Sequence, residues 1–149
     1  MGKYFTIKEL THTSVKADNT PNEQQLKNLE QVIEVMDSVR EEWTKVCEQN
    51  NWGNPAIKVN SGYRSKSVND AVGGSKSSVH MLGYAVDFLP LNKRIKEFQL
   101  FMTTYLQDNN IGFDQFIIEY PINGIASWFH LGLYSNNGEQ RKMIFATGC

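Results

Sequence analysis

Between positions 26 and 46 the chain places an apolar side chain every three or four residues: Leu26, Leu29, Val32, Ile33, Met36, Val39, Trp43 and Val46. That spacing predicts a helix of about seven turns with a single apolar stripe. Such a stripe must be covered, and a sheet is the surface that covers it. Residues 56–60, 84–89, 113–119, 128–134 and 141–147 are short runs rich in β-branched and aromatic residues, bounded by Pro, Gly and Asn, and they read as strands. Antiparallel pairing is expected for the last three. A second amphipathic helix is expected over residues 91–106, ended by Asp108, Asn109 and Asn110. Thr6 with Glu9 reads as a capping box opening a short first helix, and Thr20 with Glu23 repeats the device for the long helix, with Pro21 at its first position. Helices gathered early and strands late, without a βαβ repeat, predict an α+β domain with helices on one side of a small, mostly antiparallel sheet.

At 149 residues the chain is expected to form one domain. A net charge of −1, with 21% charged residues, provides no general field for a polyanion, so nucleic acid is not expected as a partner. No apolar run reaches bilayer length and residues 1–6 carry no signal-peptide core, so neither membrane insertion nor self-directed export is expected. Gly2 and Thr6 fit a short acylation pattern, but the pattern is permissive and an ordinary chain start is the preferred reading. Cys47 and Cys149 lie far apart without Cys or His neighbours at ligand spacing, which argues against a disulfide scaffold and against a cysteine metal site.

The chemistry concentrates on two of the three histidines. His12 sits in a polar turn and reads as a surface residue. His80 precedes the strand that carries Asp87. His130 lies on a strand whose alternate residues Phe129, Leu131 and Leu133 read as a core face, which turns Trp128, His130 and Gly132 to the opposite, open face. Two neutral imidazoles and one carboxylate satisfy Zn²⁺ with three protein bonds and leave a fourth position for water, the arrangement of a catalytic zinc site. Gly83 and Ala85, between the first two ligands, are small residues at positions where backbone is expected to pass close to metal or substrate.

Four segments together carry a resemblance: Ser61-Gly62-Tyr63-Arg64-Ser65; Asn69 with Ala71-Val72-Gly73-Gly74; Ser78-x-His80-x-x-Gly83-x-Ala85-x-Asp87; and Trp128-x-His130. In order and spacing this half of the chain resembles the M15 family of zinc D-Ala-D-Ala carboxypeptidases and related peptidoglycan peptidases. The opening residues 4–10 look like those of its short, single-domain phage and bacterial branch. The resemblance implies a small antiparallel sheet flanked by helices and zinc held by His80, Asp87 and His130. It also implies that Arg64 points into the site to stabilise negative charge on the substrate, a role suited to a permanently charged planar fork of donors. Ser78 is expected to hydrogen-bond either the substrate or the ligand cluster.

Many members of that family carry a glutamate three residues before the last histidine ligand. Ser127 stands there in this chain and cannot exchange a proton near neutral pH. Glu119 is the preferred general base, since a hairpin over residues 120–127 brings it opposite Trp128 and within reach of His130, with Gln115 on the same face. Asp114 is expected on the other face, and Glu97 and Glu139 on solvent faces. The expected function is zinc-dependent hydrolysis of peptidoglycan stem peptides by a monomer made in the cytoplasm and acting at the bacterial cell wall, with a phage origin left open. Carboxypeptidase and endopeptidase cleavage both remain open. The alternative is a non-catalytic zinc module that binds the wall or a partner.

Overall fold

The computed structural model describes residues 2–147. Met1, which begins the acylation pattern, and Cys149, the distant cysteine, lie outside the described residues. Cys47 is buried, and Asn92 Nδ2 donates to its Sγ at 3.3 Å.

Helix α1 (Ile7–Thr11) is capped by Thr6, whose hydroxyl accepts from Glu9 N. The long helix α2 (Glu23–Asn50) starts two residues later than the expected box, with Asn22 as its cap. Asn22 Oδ1 accepts from Gln25 N at 2.8 Å and Gln25 Oε1 accepts from Asn22 N at 2.8 Å, so the reciprocal pair forms there. Thr20 instead turns back onto Asp18, to which both its N–H and its hydroxyl donate. Along α2 the buried stripe is Leu29, Val32, Ile33, Met36, Val39, Trp43 and Cys47, joined by Asn28, while Leu26 and Val46 are only half-buried.

Five strands follow: β1 (Ile57–Ser61), β2 (Ala85–Pro90), β3 (Gln115–Glu119), β4 (Trp128–Gly132) and β5 (Met143–Thr147). Between β1 and β2 lie α3 (Lys66–Ala71), capped by Ser65, and a single 3₁₀ turn (Val79–Leu82). The polar stretch of residues 66–78, which has no amphipathic period, thus hides a short helix. Helix α4 (Ile95–Asp108) joins β2 to β3 and begins four residues later than the sequence suggests, after Lys93 adopts φ 63°.

The sheet order is β1-β2-β4-β3-β5. Three pairings are antiparallel, but β5 runs parallel to β3, which corrects the all-antiparallel expectation for the last three strands. Both edges of β4 are taken, by β2 and by β3, so β5 crosses to the free edge of β3 and there runs in the same direction. One sheet face carries Val86, Phe88, Phe116, Phe129 and Leu131, all fully buried with the stripe of α2 and with Phe98 and Met102 of α4. Phe98 anchors this layer, with Trp43 at 4.9 Å and Phe129 at 5.4 Å between ring centroids. Strand alternation turns the remaining residues, Asp87, Ile117, Glu119, Trp128 and His130, to the opposite face. Among the described residues no helix is long and apolar enough to cross a membrane.

Candidate metal centre and its cavity

Register brings the site together. Asp87 pairs with His130 and His130 pairs with Ile117, so neighbouring strands present these side chains on one face. Asp87 Oδ1 lies 2.9 Å from His130 Nδ1 and 3.3 Å from His80 Nε2. One ligand atom from each of the three residues can be chosen so that all lie within 4.8 Å of one another. Tetrahedral bonds of about 2.0–2.1 Å set zinc ligand atoms about 3.3–3.4 Å apart, a spacing that falls between the 2.9 Å contact and the 4.8 Å limit of this cluster. The donor set fits as well, since two imidazoles and a carboxylate are buried with no cysteine among them.

His80 enters this cluster from the 3₁₀ turn. Its Nδ1 lies 2.7 Å from the carbonyl of Gly62, which can only accept, so Nδ1 carries the proton and the Nε2 lone pair faces Asp87. Burial lowers the pKa of His80, against the attraction of Asp87, and keeps the imidazole neutral, the form that ligates. For Asp87, burial pushes the carboxyl up, but the positive charge that His80 and His130 carry when protonated, together with their hydrogen bonds, outweighs burial and holds it well below the usual carboxylate range. The second oxygen of Asp87 belongs to Arg64, whose Nη2 is 3.3 Å away.

Arg64 is thereby more committed than its expected role requires. Its Nε donates to Ser61 Oγ at 2.9 Å and its Nη1 to Asn69 Oδ1 at 3.3 Å, so all three nitrogens have partners. Asn69 is fully buried and also donates to the carbonyl of Ser75. Ser78 caps the 3₁₀ turn, with its Oγ accepting from His80 N at 3.2 Å, which ties it to the ligand as well as to the cavity wall.

Above the cluster opens a cavity of about 600 Å³ lined by Arg64, Ser78, His80, Asp87, Glu119 and His130, among others. Glu119 pairs with Trp128 across the hairpin and is diagonal to His130, while Thr147 Oγ1 donates to its Oε1. Gln115 and Ile117 line the same cavity. Ser127 is turned into the hairpin, its hydroxyl donating to the carbonyl of Tyr120 at 2.6 Å. Asp114 corrects the alternation argument: it precedes β3, where strand phase no longer holds, and it lies buried on the wall of the same cavity, paired with Arg141. His12 is exposed, Glu139 is exposed and Glu97 is half-buried.

Two contributors escape the sequence pattern because they sit on α2, whose apolar period marks only the face that packs on the sheet. Gln25 Nε2 donates to the carbonyl of Met81 at 3.0 Å, and Asn28 Nδ2 to that of Leu82 at 2.8 Å, pinning the turn that carries His80. Asn28 occupies a buried position beside the stripe, and a buried amide between apolar positions is the one sequence signal that marks it. Gly83 closes the turn at φ 81°, and a Cβ there would stand 2.7 Å from the carbonyl oxygen of Gln25. Its smallness therefore serves the approach to α2 rather than to a metal or substrate.

A buried His-Asp-His cluster on the open face of a five-stranded α+β sheet defines a metallopeptidase-like centre, and comparison with known families agrees. A family model described as Peptidase M15 matches residues 3–117, and the chain belongs to that family of metallopeptidases. The matched span contains Arg64, Ser78, His80 and Asp87 and stops short of Glu119 and His130. No curated protein matches the chain.

Proposed function

We propose that the protein is a zinc-dependent peptidase of bacterial cell-wall peptidoglycan, cutting peptide bonds of the stem peptides as a D,D-carboxypeptidase or as an endopeptidase. The convergence of His80, Asp87 and His130 at one point on the wall of a cavity that also holds Glu119 carries this reading. His80, Asp87 and His130 would hold zinc, which would supply a Lewis acid for the scissile carbonyl and would lower the pKa of a bound water to about 7.

The chain's own residues do the rest. Gly62 fixes the tautomer of His80, and Arg64 holds one carboxylate oxygen of Asp87 so that the other faces both imidazoles. Glu119 takes a proton from the attacking water and returns it to the leaving amine; one of its oxygens is steadied by Thr147, which leaves the other for this exchange. Arg64 lines the cavity, and its remaining N–H groups steady negative charge on the substrate.

Mass analysis of purified peptidoglycan incubated with the zinc-loaded protein tests this reading. New stem-peptide fragments are expected, abolished by a chelator and reduced about 10²–10⁴-fold in rate by Glu119→Gln, which keeps shape and metal but gives up the proton acceptor. Stoichiometric zinc without any cleavage would instead favour a binding module. Full zinc retention by His80→Ala would remove the proposed centre.

A further inference from the structure

The cavity holds two guanidinium groups in opposite states of commitment. Arg64 spends all three nitrogens on Ser61, Asn69 and Asp87. Arg141, on the same wall, spends only one edge: its Nε donates to Asp114 Oδ1 at 2.8 Å and its Nη2 to Oδ2 at 2.9 Å. The backbone N–H of Arg141 also donates to Asp114 Oδ1 at 3.0 Å, so side chain and main chain are clamped by one buried carboxylate. Among the described residues Nη1 of Arg141 has no partner, and the side chain keeps 44% of its surface exposed.

A guanidinium fixed along one edge by a buried aspartate has lost most of the rotamer freedom that a surface arginine gives up on binding. Its free edge is preorganised for a planar anion. Its place relative to the metal centre follows from the sheet. Asp114 N donates to the carbonyl of Gly132 at 2.9 Å, and His130 lies two residues back along β4, so the two backbone anchors are about 7 Å apart, roughly two residues of extended peptide.

We propose that Arg141, held by Asp114, is the specificity-determining residue of this cavity and receives a carboxylate of the peptide substrate about one to two residues from the bond that is cut. This rests on the peptidase reading above. The carboxylate is either the free C-terminus of the peptide or an acidic side chain within it. Both offer two coplanar oxygens to the free edge of the fork.

Four N-acetylated stem peptides of equal length separate these sources, with the acidic position as Glu or Gln and the C-terminus free or amidated. Zinc-loaded wild type and Arg141→Gln are compared by kcat/KM for any peptide that is cut and by titration calorimetry for any recovered intact. Wild type is expected to favour a carboxylate-bearing peptide over the neutral one by about 10- to 100-fold, the range of one charge-assisted hydrogen-bonded contact. Arg141→Gln is expected to bring that ratio to within about twofold, and the arm that loses its advantage names the carboxylate.

If wild type handles all four alike, or the variant keeps the preference, Arg141 is not the anion site while the peptidase reading stands. If wild type neither cuts nor binds any of them, both readings fall. Should Arg141→Gln not fold, the guanidinium ¹⁵N signals of Arg141 in wild type decide: they shift with the carboxylate peptide and stay still with the neutral one, and failure to shift with either overturns the proposal.

Discussion

Replacing Gly83 with alanine is expected to damage both the fold and the metal centre, and Gly53 provides a matched control. The two glycines have nearly the same backbone, φ 81° and φ 80°. At Gly53 an added Cβ meets nothing within 4 Å, whereas at Gly83 it meets the Gln25 carbonyl oxygen at 2.7 Å and the Leu29 side chain at 3.4 Å. The left-handed backbone alone costs an alanine about 1–2 kcal/mol. Overpacking adds about 1–3 kcal/mol, because a helix carbonyl cannot rotate away as a flexible side chain can. Gly53→Ala is therefore expected to lose about 1–2 kcal/mol and Gly83→Ala about 2–5 kcal/mol. At about 2–4 °C per kcal/mol for a chain of this size, the second variant melts about 4–20 °C below wild type. Relief of the clash lifts the 3₁₀ turn off α2 and loosens the bonds from Gln25 and Asn28, so zinc affinity is expected to fall about 10- to 100-fold. Gly53→Ala is expected to keep its zinc affinity. Urea unfolding and zinc titration against a chromophoric chelator read both quantities. Equal losses in the two variants would refute the reasoning, since the contact with α2 is the only difference between them that it invokes.

Arg64→Lys keeps the charge but cannot reach Ser61, Asn69 and Asp87 at once, so kcat is expected to fall by more than KM rises; kinetics indistinguishable from wild type would place Arg64 outside the machinery. Asp114 has its carboxyl held below the ordinary 3.8, first by the hydrogen bond from Arg141, so its contribution to stability is complete above that pH and is lost as the pH falls through the lower folded value. Asp114→Asn should accordingly be less stable than wild type at pH 7, with the gap in urea midpoint closing as the pH falls below 3.8. A gap that widens in acid would contradict the pairing. Gly74→Ala places a Cβ 2.1 Å from Asn69 Oδ1 and 3.0 Å from Arg64 Nη1, and is expected to reduce turnover by displacing that pair, measured on the same wall peptides.

The strands and the placing of Asp87 and His130 on one sheet face were legible because their signals are local. Alternation on residues 128–133 separates Phe129, Leu131 and Leu133 from His130, and those three leucine and phenylalanine side chains are indeed buried. The apolar period of α2 likewise marks its buried stripe. What escaped was set by partners distant in sequence. Nothing near Asn28 says that its amide will meet the carbonyl of Leu82, 54 residues away. The parallel placement of β5 depends on which sheet edges remain free, which is a property of the whole topology. The helix start moved from Thr20 to Asn22 because two polar residues competed for one capping role and the reciprocal Asn22–Gln25 pair formed. Asp114 misled because a period-two rule was extended one residue past the start of its strand.

The dependence of the His80 turn on Gln25 and Asn28 has a consequence for the order of events during folding. His80 and Asp87 are neighbours in sequence, but His130 follows Asp87 by 43 residues and the turn hangs on bonds to a helix more than 50 residues upstream. Loops of that length must close before the three donors can meet, and contacts of such long range form late. An unfolded chain therefore offers zinc at most the His80–Asp87 pair and not the three donors together. On the proposed zinc reading, metal capture would come after the helix has docked and the central strands have paired, and the ion would then hold closed a structure it had no part in starting, so loss of zinc should speed unfolding far more than it slows folding.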